Sequence, residues 1–485
     1  MQWFLLGVAL LIGGYFIYGK IIERIFGIRP HRQTPAIANN DGVDFVPMST
    51  GKVYLVQLLN IAGLGPIFGP ILGALYGPTA LLWIVFGSVF AGAVHDYFSG
   101  MLSVRAGGAS VPTVVGRELG NVAKQFMNGF AVLLLLLVGV VFTLGPAKLL
   151  GNLSGTSVPV WVAVIFGYYM IATIVPIDKI IGRFYPLFGA LLVFMSVGLL
   201  VGLAVSDKPF YAAGITLENL HPQDLPLWPL LFITIACGAL SGFHATQSPL
   251  MARCVQNESN GRFVFYGAMI GEGVIALIWA TLGMSFYESP EALNATLANG
   301  GPAAVVNDVA TSLLGGVGGI LAILGVVVLP ITSGDTSFRA ARLILSDFLK
   351  FDQKPIVKRL LIALPLFAVG FAISLMDFNL IWRYFGWANQ MTAVIMLWAA
   401  AAWLKRHDKF HWVATVPATF MTGVVNAYLL SAEIGFGLPL SVAGPVGIAS
   451  SALVLLWLLT RGRREQDELD ELDELDVPAI AAERA

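Results

Sequence analysis

Blocks of about 20 apolar residues recur along the whole chain, the length that crosses a hydrocarbon core of roughly 30 Å. No other feature limits the fold as strongly. Lipid offers the backbone no hydrogen-bond partner, so a block this apolar has to satisfy its own N–H and C=O groups as a helix. Thirteen such segments run near 2–19, 53–77, 79–102, 127–150, 158–176, 183–205, 226–252, 263–286, 316–338, 359–377, 380–404, 410–430 and 439–460. Only 12% of the 485 residues are charged, about half the share of a soluble domain. The chain reads as an all-α polytopic membrane protein. Its net charge of −1 gives no reason to expect a nucleic-acid partner.

The first segment, Trp3 to Tyr18, lacks a basic start and a small-residue cleavage site, so it is expected to stay as a span. Cys237 and Cys254 fall on one predicted helix, about 25 Å apart by helical rise, too far to form a disulfide.

Basic residues supply an independent test of the span count. All but three of the 28 Lys and Arg follow an odd-numbered segment, from Lys20, Arg24 and Arg29 after the first to Arg461, Arg463 and Arg464 after the last. Lys148, Lys208 and Arg383 are the three on the other side. Positive loops stay in the cytoplasm, so the N-terminus is expected outside a bacterial inner membrane and the C-terminus inside. The tail, residues 461–485, repeats acidic pairs with leucine and reads as a solvated cytoplasmic extension.

Two segments carry residues that break helices. The second holds Asn60-Ile-Ala-Gly-Leu-Gly-Pro-Ile-Phe-Gly-Pro70, and the seventh holds Ala236-Cys-Gly-Ala-Leu-Ser-Gly-Phe-His-Ala-Thr-Gln-Ser-Pro249. Glycine and proline are common in membrane helices as kinks and packing points. Here, however, each opens a set of five segments, and the two sets run in opposite orientations. That is the pattern of inverted-repeat transporters, whose half-helix N-termini suit anionic solutes. The chain divides into an N-terminal helix and loop (1–52), a first five-helix repeat (53–205), a second, inverted one (226–404), two C-terminal helices (405–460) and the tail (461–485).

The residues also resemble a known family. Asp41-Gly-Val-Asp-Phe-Val-Pro47, Ile61-Ala-Gly-Leu-Gly-Pro66, Val89-Phe-Ala-Gly-Ala-Val-His-Asp96 and Ile235-Ala-Cys-Gly-Ala-Leu-Ser-Gly-Phe-His244 are similar to signatures of the carbon starvation (CstA) family. So are Glu272-Gly-Val-Ile-Ala-Leu-Ile-Trp279, Thr332-Ser-Gly-Asp-Thr336 with Arg339, and Phe385-Gly-Trp-Ala-Asn-Gln390. The C-terminal part is shorter than is usual in that family. The resemblance implies a nutrient-scavenging transporter of peptides or pyruvate, proton-coupled in some members, with a LeuT-like fold.

Only Asp96, Glu272 and Asp335 among the acidic residues fall well inside the predicted spans. Such residues are costly in lipid and default to functional candidates. Glu272 has no basic residue a turn away and is a candidate carrier of a coupling proton, or else a carboxyl that ties helices together. His95 beside Asp96 could relay protons, although neighbours on a helix point about 100° apart. His244 lies in the second break, where a solute carboxylate would be read. Asp335 precedes Arg339 by one turn and is either its ion-pair partner or, with Thr332, Ser333 and Thr336, part of a sodium or proton site facing the first break. The expected solute site comprises Gly63, Gly65, Gly69, Gly242, His244, Thr246 and Gln247. The spacing of His95, Asp96, His244 and Asp335 does not demand a metal, and no cofactor is expected beyond a coupling ion, H⁺ or Na⁺.

A channel would also tolerate broken helices. An enzyme is disfavoured, because no His-Glu-x-x-His or Gly-x-Ser-x-Gly string is present, and a primary pump would need a nucleotide-binding loop that is missing. The topology makes a direct prediction. Single cysteines placed in 287–315 should react with impermeant maleimide from outside, and those in 340–358 only after permeabilisation. Labelling of both from one side would refute the orientation and the repeats together.

Overall fold

The computed structural model describes residues 1–42, 44–174, 177–211, 214–351 and 355–460. The acidic tail lies outside the described residues, as does Lys354. Among the described residues the chain is helical throughout, with no strand.

Helices occupy all thirteen apolar segments. In chain order they are α1 (Gln2–Phe26), the half-helices α2 (Thr50–Ile61) and α3 (Gly65–Tyr76), α4 (Thr79–Arg105), the short α5 (Val111–Leu119), α6 (Asn121–Ser154), α7 (Val158–Ile174) and α8 (Ile177–Val205). There follow the half-helices α9 (Leu227–Thr234) and α10 (Gly242–Ala252), then α11 (Glu258–Phe286), α12 (Pro290–Leu349), α13 (Ile356–Ser374), α14 (Phe378–Arg406), α15 (Trp412–Ser431) and α16 (Leu440–Thr460). Among the described residues nine helices are long and apolar enough to cross a membrane, or ten if α2 and α3, bent by 48°, count as one span. Outward-facing leucine, isoleucine, valine and phenylalanine side chains on α1, α8, α13 and α16 make an apolar exterior suited to lipid.

The first break spans residues 62–64. Ala62 leaves helical geometry, and Pro66 sits in the first turn of α3, where its missing N–H costs nothing. The second break spans 235–241 and turns on Gly238, whose φ of +89° only glycine adopts without strain. The two breaks pack on each other. A Cβ on Gly65 would overlap Cys237, one on Gly69 would lie 3.0 Å from the Thr234 carbonyl oxygen, and one on Gly238 would lie 3.7 Å from Pro66 Cα.

Two expectations need correction. Cys237 and Cys254 do not share a helix: Cys237 lies in the second break and Cys254 follows the end of α10, because the unwinding of 235–241 interrupts the helix that was expected to join them. Both are free thiols. The stretch 287–315, expected as a loop, is helical from Pro290 onward. It turns at Gly301 and Gly315, with φ of +68° and +67°, so that a Cβ on Gly319 would lie 2.9 Å from Thr311 Cα. Alanine and leucine flank the Gly300-Gly301-Pro302 turn on both sides and favour a helix in each half of the stretch.

The close approach of α10 to α14 predicts a stability effect. A methyl on Gly242 would strike the Asn389 main-chain oxygen, which cannot rotate away, whereas Gly13 on α1 has nothing within 4 Å. Gly242→Ala should therefore cost about 1–3 kcal/mol or more and lower the melting temperature in detergent, while Gly13→Ala leaves it unchanged.

Candidate functional site

Unwound backbone away from water needs partners from elsewhere in the protein, and α4 supplies several. Around residues 83–92 it widens into π-helical turns, a geometry frequent at functional sites. From there Trp83 Nε1 donates to the Ile235 carbonyl at 3.0 Å and Ser88 Oγ to the Gly238 carbonyl at 2.8 Å. At the first break, Ser333 Oγ on α12 donates to the Leu59 carbonyl at 3.2 Å. Asn389 on α14 meets the start of α10, its Oδ1 accepting the Phe243 N–H at 2.7 Å and the Ser241 hydroxyl at 3.1 Å.

The same scaffold assembles a chain of ionisable side chains, all fully buried. Asp96 on α4 accepts from His95 Nδ1 at 2.8 Å through one oxygen and from His244 Nδ1 on α10 at 2.9 Å through the other. Both rings therefore carry a proton on Nδ1, an assignment made from the hydrogen bonds. His244 Nε2 then faces Glu272 Oε2 on α11 at 3.1 Å. That contact is close enough for an ion pair, yet it lies off the axis of a hydrogen bond, and neither Glu272 oxygen has a hydrogen-bond partner. A neutral imidazole nitrogen and an ionised carboxylate are both acceptors, so a bond between them needs a proton or another cation. His95 and Asp96, whose adjacency on a helix left contact open, do touch. The basic neighbour of Glu272, absent from its own helix, comes from α10.

The other sequence candidates fall into separate groups. Asp335 lies 3.8 Å from Arg339 one turn on, and Arg339 also donates to the Ala172 carbonyl at 3.1 Å, so Asp335 does not join the two histidines. Thr332 and Ser333 donate to the Leu329 carbonyl at 2.7 and 3.0 Å, and Thr336 to that of Ser333 at 3.0 Å. Thr246 Oγ1 bonds the Phe243 carbonyl at 2.6 Å and receives Gln247 Nε2 at 3.1 Å. Gly63 packs under Phe142, while Gly65 and Gly69 line the contact between the breaks. Sequence reasoning passed over Asn389, Ser88 and Trp83 as site residues. A polar amide pair, Asn389-Gln390, inside an apolar segment was the signal for the first; hydroxyl and indole donors in a span carry no comparable signal.

On the cytoplasmic side of the expected topology, buried Glu258 accepts from Arg105 Nε at 3.3 Å and Nη2 at 3.2 Å and from the Arg29 N–H at 2.7 Å. This ties the end of α4 to the start of α11 and the loop after α1.

Buried ionisable groups gathered where two broken helices meet, in an all-helical apolar fold, are the mark of a membrane transporter. The fold is shared with a manganese transporter of Eremococcus coleocola, at a TM-score of 0.53 and 12% identity over 88% of this chain and 94% of that one. The chain belongs to the carbon starvation protein CstA family, whose model matches residues 1–158, 146–288 and 291–427. It is 54% identical over 352 residues to an uncharacterized membrane protein of Haemophilus influenzae, covering 62% of this chain and 95% of the relative. It is 27% identical to the peptide transporter CstA of Escherichia coli over 88% of this chain and 81% of that one. The pyruvate/proton symporter BtsT of Escherichia coli is 28% identical over 56% of this chain and 47% of its own length.

Among the described residues Asp96 is the acceptor for both histidine Nδ1 donors. Asp96→Ala leaves two buried donors unpaired and should cost about 2–6 kcal/mol at roughly 1–3 for each. Asp96→Asn, which keeps one acceptor oxygen and leaves one donor unpaired, should lose about half as much. Melting curves in detergent check the order; equal losses would mean that packing, and not hydrogen bonding, is what Asp96 contributes.

Proposed function

We propose that this protein imports small solutes that bear a carboxylate, pyruvate or short peptides, across the bacterial inner membrane by coupling to protons. The observation that carries the reading is the meeting of the two breaks around the His95–Asp96–His244–Glu272 chain. The start of α10 there offers main-chain N–H groups and a partial positive charge, and the oxygen it now receives is Asn389 Oδ1. A solute carboxylate has the same acceptor character. The names of the family relatives, peptide transporter and pyruvate/proton symporter, support the solute class and the coupling ion.

In this reading the chain crosses the membrane thirteen times with its N-terminus outside. Segments 2–11 form a LeuT-like five-plus-five inverted repeat, supported by the equivalent positions of α2–α3 and α9–α10 in the two sets. Glu272 and Asp96 are the coupling carboxylates, His244 links them, and His95 extends the chain beyond Asp96. A sodium-coupled variant of the same fold has one observation in its favour, the Ser333 hydroxyl set against the Leu59 carbonyl at the first break, beside Thr332.

Proteoliposomes supplied with labelled pyruvate and a labelled dipeptide, each competed by the other, test the solute. Uptake should collapse when the pH gradient is dissipated and persist when external sodium is replaced by choline. Glu272→Gln should still exchange solute down its gradient while its accumulation ratio falls to about one. Accumulation that survives in Glu272→Gln and Asp96→Asn but disappears in choline would replace the proton reading with the sodium one.

A further inference from the structure

His244 is held by Asp96 through Nδ1, which leaves Nε2 with no hydrogen-bond partner and aimed at Glu272, both of whose oxygens are also without one. Both side chains are fully buried. Acceptors left unpaired in the interior are costly, and a cation that bonds both removes the cost. A third donor atom of different chemistry stands beside them. Cys237 Sγ, a His244 ring nitrogen and a Glu272 oxygen all lie within 4.8 Å of one another.

We propose that Cys237, His244 and Glu272 form a binding site for a divalent first-row transition metal of borderline softness, with Zn²⁺ as the representative ion. The donor set decides the class. A thiolate and an imidazole disfavour sodium, magnesium and calcium, and the carboxylate disfavours copper(I); zinc and its neighbours accept all three. The surroundings are those of a metal ligand set. Asp96 accepts the Nδ1–H of His244, the carboxylate–histidine arrangement that fixes the tautomer and turns Nε2 toward a metal. Asn389 Nδ2 donates to Cys237 Sγ at 3.6 Å, a contact that suits a thiolate. Cys237 sits in unwound backbone, where no helical register restrains its approach. Metal–ligand bonds of about 2.0–2.3 Å place tetrahedral ligands about 3.5 Å apart; His244 Nε2 and Glu272 Oε2 are at 3.1 Å, and Cys237 Sγ, within 4.8 Å of both residues, needs to move by about 1 Å. Three protein ligands leave a fourth position open to water or to a solute carboxylate.

The site does not depend on which solute is carried. It does share His244 and Glu272 with the proposed coupling route, so metal and coupling proton exclude one another. Its test is spectroscopic and independent of transport. The full chain, purified in detergent and stripped with a chelator, is titrated with Co²⁺, whose thiolate charge-transfer band in the near ultraviolet reports sulfur ligation. The chain has two cysteines, so the band has only two possible sources. One equivalent of Co²⁺ should produce it and Zn²⁺ should displace it. Cys254→Ser should keep the band and Cys237→Ser should abolish it. His244→Gln and Glu272→Gln should weaken Co²⁺ binding at least tenfold, and Asp96→Asn, which touches no metal, about 10–100-fold with the band retained. A wild-type protein without the band at saturating Co²⁺ overturns the proposal, as does a band that survives Cys237→Ser or vanishes in Cys254→Ser. Carboxylate uptake could fail while the band appears, or the reverse, so the two readings fall separately.

Discussion

The structure depends on satisfying unwound backbone in a place where water and lipid cannot do so. Between Ile61 and Gly65, and again between Thr234 and Gly242, the main chain gives up its own ladder of hydrogen bonds. Each orphaned polar group costs several kcal/mol in hydrocarbon, so neighbouring helices have to supply partners. Trp83 and Ser88 do this for the carbonyls of Ile235 and Gly238, Ser333 for that of Leu59, and Asn389 for the N–H of Phe243. The polar side chains inside otherwise apolar helices follow from this requirement.

Such donors reach the breaks only if backbones come close, and close approach needs small residues. Gly92 on α4 could carry no Cβ without striking the Ala239 carbonyl, and Gly242 none without striking that of Asn389. Glycine at these two crossings is thus what lets α4 reach the second break and α10 reach α14. Packing in membranes rests on such small-residue approaches, because burial of apolar surface between helices gains little over lipid.

Much of this was legible in the residues. Apolar block length located the helices, and the Gly–Pro clusters at 63–70 and 238–249 located the breaks to within a few residues. Isolated intramembrane carboxylates drew attention to Asp96 and Glu272 because charge in lipid demands a reason. What could not be read was which of them meet. The arginine one turn from Asp335 was visible in the residues, but the partner of Glu272, His244 on a different helix, was not. Contacts between helices depend on their rotation and crossing, which hydropathy does not encode. Cys237, weighed only as a disulfide partner, was not read as a site residue for a related reason: on a continuous helix it would have been an inert small hydrophobe, whereas in the unwound stretch its sulfur lies near His244 and Glu272. The helical character of 290–314 was hidden because a polar stretch between spans offers no apolar block to recognise.

The positions of the four ionisable residues connect occupancy to shape. His95 and Asp96 ride on α4, which also holds the carbonyls of the second break; His244 belongs to the half-helix that follows that break; Glu272 stands on α11. A rotation of α10 about the unwound 235–241 stretch would separate His244 from Asp96 or from Glu272. Whatever is shared across the 3.1 Å gap between His244 and Glu272 is bound more tightly when the gap is short. A ligand shifts a conformational equilibrium only by its difference in affinity for the two states, and a cation at this gap has such a difference built into its position. By the reciprocity of linkage, a solute that changes the set of α10 must then change the affinity of the gap for its cation by the same factor. If the protein couples a solute to a cation as proposed, broken helix and buried cluster form one device, and the coupling requires no contact between solute and ion.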